Sequence, residues 1–107
     1  MPVVTVALPP HPAEGELLSR VAEAVADGLG LSAGDVIAMS VPVRAAVANG
    51  RTGTASWVLI SIHGSDRGEE RMRHARDAAA SAAADWSERH EVAQEGVWCE
   101  WLLPQHP

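Results

Sequence analysis

The sequence predicts an α+β domain in which two β-α-β units form one four-stranded sheet with two helices on one face. Its 107 residues are enough for one domain with its own core. Short β-branched runs alternate with longer stretches whose apolar residues recur every three or four positions. The order strand, helix, strand occurs twice. We therefore expect a single domain over 1–107, with pseudo-repeats over about 2–50 and 54–104.

The first unit begins with a strand over 3–8, a β-branched apolar run that prolines end immediately afterwards. Residues 13–29 follow as an amphipathic helix, because apolar side chains recur at helical spacing and glycines close the segment. The residues of that apolar face are Leu17, Leu18, Val21, Val25 and Leu29. A second strand is predicted over 35–43, with Pro42 near its exposed end.

The second unit follows a turn over 48–54, which is indicated by its Asn-Gly pair and further glycines. We expect its strands over 56–62 and 97–103. A helix is predicted between them, from about Asp66 to Arg89. Its core face is thin and mostly alanine, which lets the helix lie close to a sheet: Met72, Ala75, Ala79, Ala82 and Trp86.

Helical crossovers between parallel strands place both helices on the same side of the sheet. The opposite side is then bare, although its strands are apolar on both faces. An apolar surface of that size marks an interaction site. The sequence therefore predicts oligomerisation through the uncovered sheet face.

Composition argues against several classes of function. The net charge of −6 disfavours nucleic-acid binding, and no apolar run is long enough to span a membrane. The start of the chain carries no basic segment or cleavage signal, so we expect a cytoplasmic protein. A lone Cys99 and scattered histidines give no metal-site spacing, and we expect no metal or cofactor. All eight basic residues are arginine, which fits a GC-rich bacterial genome.

Pro2 directly follows Met1 and stands at the head of the first predicted strand. Methionine aminopeptidases remove Met before a small residue, which would leave a free prolyl amine. An α-amino group titrates near ~8, and burial would lower its pKa toward neutrality. Such an amine is a suitable general base.

Two segments carry a resemblance to a known family. Residues 36–50 (VIAMSVPVRAAVANG) resemble, without gaps, the second strand and following turn of macrophage migration inhibitory factors. Residues 64–71 (GSDRGEER) resemble the entry to the second helix in 5-carboxymethyl-2-hydroxymuconate isomerases. With Pro2, the chain length and the element order, the sequence is similar to the two-unit branch of the tautomerase superfamily. That resemblance implies a homotrimer with active sites at subunit boundaries, around each amino-terminal proline.

Five further residues are candidates for the site. Arg67 and Arg44 are predicted to clamp a carboxylate or enolate, since guanidinium groups donate paired hydrogen bonds to such anions. His63 ends the third predicted strand, and Ile62 before it would form an apolar wall. The resemblance implies an aromatic wall on the last strand, where Trp98 lies; Trp101 faces the other way by alternation.

The sequence thus predicts a cofactor-independent tautomerase or isomerase. Pro2 would transfer a proton in a small enolisable keto or dienol acid. Two alternatives stay open. One is a catalytically silent tautomerase-fold protein that binds a ligand or supports assembly, since the lysine of the inhibitory-factor group is replaced here by Ser32. The other is a ferredoxin-like regulatory domain, which strand order would distinguish.

Overall fold

The computed structural model describes residues 1–47 and 57–104, and every element predicted within them is present. The predicted turn over 48–54 lies outside the described residues. The elements, in chain order, are β1 (Val3–Leu8), α1 (Glu14–Leu29), a 3-10 turn (Ala33–Asp35), β2 (Ile37–Pro42), β3 (Trp57–His63), α2 (Glu69–Arg89) and β4 (Gly96–Leu102).

The sheet has the strand order β2-β1-β3-β4. β1 pairs with β2 in parallel, β3 pairs with β4 in parallel, and β1 and β3 are antiparallel at the centre. Each β-α-β unit therefore keeps its two strands side by side. A ferredoxin-like fold splits such units by inserting another strand, so the ferredoxin-like alternative is wrong.

α2 begins at Glu69, three residues later than the sequence predicted. Gly68 lies at φ 88°, a conformation that glycine adopts readily and that does not continue a right-handed helix. Its N–H donates to Asp66 Oδ1 at 2.9 Å, closing a local turn of the kind that Asp favours. Residues 64–68 therefore form a loop between β3 and α2.

Both helices pack on one face of the sheet, as predicted. Val4, Val6 and Leu8 alternate inward along β1 and are at most 2% exposed. α1 contributes the predicted stripe, with Leu18 partly exposed. On α2 the predicted Ala75 and Ala79 are fully buried, and Ala83 is buried in place of the predicted Ala82, which lies at the edge of the core.

The small residues of α2 allow a close approach of the two helices. A Cβ added to Gly28 would lie 2.9 Å from the Ala75 Cα. No side chain larger than hydrogen fits at position 28 without a backbone shift.

Among the described residues, no helix is long and apolar enough to cross a bilayer.

The other face of the sheet is uncovered in one protomer and strongly apolar. Met39, Val41 and Leu59 are 44–47% exposed, and Trp98 is 57% exposed. Along the register, Thr5 pairs with Ser61 and Ser61 pairs with Glu100. These three residues form a single polar row among apolar ones. The prediction of a bare apolar face is confirmed for the protomer.

A charged cluster joins the start of α1 to the end of α2. Glu16 Oε2 lies 2.7 Å from His90 Nε2, and Glu16 Oε1 accepts from Arg20 and Arg89 at 3.1 Å each. The hydrogen bond to His90, followed by that to Arg20, lowers the pKa of Glu16 below its usual value. The carboxylate form of Glu16 is therefore the one that the fold favours.

This cluster leads to a pH-dependent prediction. A carboxyl whose pKa is lower in the folded state stabilises the fold above its unfolded pKa, and this contribution is lost as pH falls through the folded pKa. Glu16→Gln should therefore lower the melting temperature at pH 7 and flatten its decline below about pH 4.5. Thermal melts from pH 7 to pH 3 measure both effects. Glu23→Gln, at an exposed position of the same helix, is the matched control and should keep the wild-type profile.

Candidate active site

Pro2 is buried at the point where the chain enters β1. It is less than 2% exposed, and its carbonyl accepts a hydrogen bond from the Ile37 N–H at 3.1 Å. Met1, by contrast, is 71% exposed and lines an open depression of about 450 Å³. The Met1–Pro2 peptide bond therefore lies between the buried Pro2 ring and the exposed Met1 that lines this depression.

The strand register brings the ends of β3 and β4 to the same place. Val3 pairs with His63, and His63 pairs with Leu102. His63 is exposed and lines the depression, together with Gly64 and Ser65. Two predicted site residues, Pro2 and His63, thus lie at one end of the sheet.

Ile62 occupies a different position from the one predicted for a pocket wall. It pairs with Val4 and is completely buried in the core. By strand alternation its side chain lies on the helix-covered face, the face that Pro2 also shares. In one protomer Ile62 forms part of the apolar surroundings of Pro2 and does not line the depression.

Trp101 is the residue that sequence reasoning did not assign to this region. Its Nε1 donates to the Gly64 carbonyl at 3.2 Å, and the Gly64 N–H donates to the Leu102 carbonyl at 3.2 Å. A Cβ on Gly64 would lie 2.9 Å from Trp101 Cζ2. Trp101 therefore fixes the main chain at the rim of the depression. A tryptophan on the inward face of an edge strand and a glycine after the neighbouring strand were the available signals.

Arg67 lies in the loop that leaves this rim. Its Nε is buried and has no hydrogen-bond partner among residues 1–47 and 57–104. A buried donor left unpaired is unfavourable, and more so on a charged group. Arg67 is not among the residues that line the depression around Met1, so its predicted place in the site stays a prediction.

Arg44 and Trp98 lie away from Pro2 within one protomer. β2 ends at Pro42, which pairs with Leu8, about 17 Å along the strands from Val3, and Arg44 lies beyond that end. Trp98 is exposed on the bare sheet face, four residues or about 13 Å before the end of β4. Each of these two residues could take its predicted place only at the Pro2 of a neighbouring subunit.

Metal or thiol chemistry has little support in the described part of the chain. No group of three His, Cys, Asp or Glu side chains gathers there as metal ligands. Burial raises the pKa of the Cys99 thiol to about 12. A thiol with so high a pKa stays protonated near neutral pH and is a poor nucleophile.

The sequence matches no family model and no curated protein. Solved structures do match. A 5-carboxymethyl-2-hydroxymuconate delta-isomerase aligns with 99% of this chain and 84% of its own at a TM-score of 0.78 and 15% identity. A native fused 4-OT aligns with 95% of this chain and 86% of its own, at a TM-score of 0.75 and 18% identity. The chain therefore shares the fold of these two proteins.

Macrophage migration inhibitory factor of Toxoplasma gondii also aligns, over 96% of this chain and 90% of its own, at a TM-score of 0.71 and 18% identity. The predicted fold class is therefore confirmed, and both protein groups that the sequence resembles are among the matches.

Proposed function

We propose that the protein is a cofactor-independent tautomerase or isomerase that acts on a small enolisable keto or dienol acid. Pro2, freed by hydrolysis of the Met1–Pro2 peptide bond, would be its general acid and base. The observation that carries this proposal is a fully buried Pro2 joined to an exposed Met1 at the depression. Loss of Met1 would leave a secondary amine at that position.

The surroundings of Pro2 suit a neutral amine. Burial disfavours the charged ammonium form, and the ring shares the helix-covered face with Val4 and Ile62, both 0% exposed. The neutral nitrogen would take a proton from the substrate, leaving a dienolate. The resulting ammonium would return the proton to another atom of the same conjugated system. The reaction is redox-neutral and needs no co-reactant.

Arg67 and His63 are the proposed polar groups of the site. A guanidinium with an unpaired buried Nε suits a substrate carboxylate, because Arg forms strong charge-assisted hydrogen bonds with such groups. His63 lines the depression and would donate toward the oxygen on which negative charge develops. Donors fixed around that oxygen stabilise the transition state.

We further propose that the protein is a homotrimer. The apolar sheet face needs a cover, and two solved proteins of the same fold are described as symmetric and asymmetric trimers of fused 4-OT. In such an assembly Arg44 and Trp98 would approach Pro2 from a neighbouring subunit. A cytoplasmic location remains a prediction from the sequence.

Covalent labelling tests the catalytic proposal directly. A protein of this fold, 18% identical over 95% of this chain, has been solved after inactivation by 2-oxo-3-pentynoate. A free Pro2 amine should add to the alkyne carbon β to the ketone, with the proton ending on the α-carbon. Intact mass should show loss of Met1 and gain of one inactivator molecule, and peptide mapping should locate it on Pro2.

Cys99→Ser is the control for this labelling, because a thiol is the competing nucleophile. It should be labelled as fast as the wild type, since the raised pKa of Cys99 makes that thiol unreactive. Retention of Met1 would leave Pro2 as a tertiary amide without basicity and would refute the proposal. An adduct on Cys99 alone would refute it as well.

A second candidate is a catalytically silent protein with the same fold. The observation that favours it is Ser32, which stands where the resemblance implies a lysine. Ser32 caps the 3-10 turn together with Asp35, whose carboxylate accepts from the Ser32 N–H at 3.3 Å. Labelling of Pro2 without turnover of phenylpyruvate or 2-hydroxymuconate would favour this candidate.

A further inference from the structure

Trp101 contacts the wall of the depression around Met1 without lining it. His63 and Gly64 are among the described residues that line the depression, and Trp101 is not. Trp101 pairs with Ile62 in the strand register, so its indole lies on the helix-covered face, where it packs partly buried against the core. The ring therefore reaches this wall from the core side.

His63 lies at the ends of three strands. It is the last residue of β3, and it pairs with Val3, the first residue of β1, and with Leu102, the last residue of β4. Its exposed imidazole has no hydrogen-bond partner among residues 1–47 and 57–104. The position of this side chain therefore depends on its main chain, and strand ends open more readily than strand centres.

Trp101 closes this end of the sheet. The Gly64 N–H donates to the Leu102 carbonyl at 3.2 Å, which continues the pairing of β3 with β4 by one residue. The Gly64 carbonyl accepts from Trp101 Nε1 at 3.2 Å. A Cβ on Gly64 would lie 2.9 Å from Trp101 Cζ2, so the indole packs directly on this main chain. The residue next to His63 is thus held by both a strand and a side chain.

We propose that Trp101 is a positioning residue for the reaction at Pro2. By holding Gly64, it keeps the end of β3 closed and fixes the main chain that carries the His63 imidazole. This inference rests on the proposed function, in which His63 donates toward the developing negative charge. Such donors stabilise a transition state because they are already in place, and a displacement of about 1 Å can cost about 100-fold in rate. Trp101 thus acts through His63 without touching the substrate.

Trp101→Phe tests this role, because phenylalanine keeps an aromatic ring against the core and removes the indole N–H. We expect kcat for a phenylpyruvate- or 2-hydroxymuconate-type substrate to fall about 10-fold with KM unchanged, since the affected interaction acts in the transition state. His63→Ala should lower kcat by at least as much. The double variant should be no slower than His63→Ala, because residues that act as one unit have non-additive effects.

The Gly64 amide gives a second readout that needs no turnover. Loss of the indole hydrogen bond should speed exchange of the Gly64 N–H with D₂O about 5- to 10-fold, the usual effect of one neutral hydrogen bond. Trp57→Phe is the matched control, since Trp57 Nε1 donates to Glu95 Oε2 at 3.0 Å at the opposite end of β3. It removes an equivalent donor and should leave both kcat and this exchange rate unchanged.

The outcomes separate this inference from the proposed function. Wild-type kcat in Trp101→Phe, or additive losses in the double variant, would refute the role of Trp101 alone. Absence of wild-type turnover together with an unlabelled Pro2 would refute the proposed function, and with it any part of Trp101 in catalysis. If Trp101→Phe fails to fold, Gly64→Ala disturbs the same contact from the other side; a wild-type kcat there would equally refute the inference.

Discussion

Pro2→Ala is expected to lower kcat/KM for a phenylpyruvate- or 2-hydroxymuconate-type substrate by about 100-fold or more. A positioned general acid or base contributes about 10²- to 10⁴-fold to a proton transfer. After loss of Met1 the variant begins with a primary amine on a small, unrestrained residue. The buried pyrrolidine ring that fixes the nitrogen is then lost, together with the secondary amine. Initial rates at pH 7 measure the effect.

Pro12→Ala is the matched control, because Pro12 is an exposed proline that does not line the depression around Met1. It should retain wild-type turnover. Thermal melts must accompany the comparison, since Pro2 is fully buried and its replacement also removes apolar packing. Unchanged turnover of Pro2→Ala, in protein whose mass proves that Met1 is gone, would show that Pro2 is not the base.

Most of the fold could be predicted because the sequence patterns that mark its strands and helices are local. The strand over 3–8 was predicted with its observed bounds, since a β-branched run meets three prolines within four residues of its end. The start of α2 was placed too early because Asp66 resembles a helix-initiating residue. It instead closes the turn at Gly68, and the positive φ of that glycine cannot be recognised from composition.

The site was less predictable because it depends on register and on assembly. His63 lies near Pro2 because β1 and β3 pair antiparallel, a fact that follows only once the strand order is known. Arg44 was grouped with Pro2 because its guanidinium could clamp an anionic substrate, yet within one protomer the length of β1 separates the two residues. The cavity of about 70 Å³ that His11, Trp57 and Trp86 line could not be predicted, because these residues are distant in sequence and no spacing rule connects them.

Leu59→Glu is expected to convert the proposed trimer into monomers. Leu59 is 47% exposed on the bare face, between Ala7 and Trp98 in the register. A trimer would bury three added carboxylates there, and each ion costs several kcal/mol when it is removed from water without a partner. A penalty of about 4 kcal/mol already weakens association about a thousandfold. Sedimentation at micromolar protein concentration measures the mass.

Ala84→Glu adds the same charge at an exposed position of α2 and should remain trimeric. Circular dichroism of Leu59→Glu should stay native, because the Leu59 side chain lies outside the helix-covered core. If Arg44 and Trp98 reach Pro2 from a neighbouring subunit, the monomer should also lose turnover. Its Pro2 amine would nevertheless remain open to 2-oxo-3-pentynoate. A Leu59→Glu trimer, or a wild-type monomer, would show that this face is not the assembly surface.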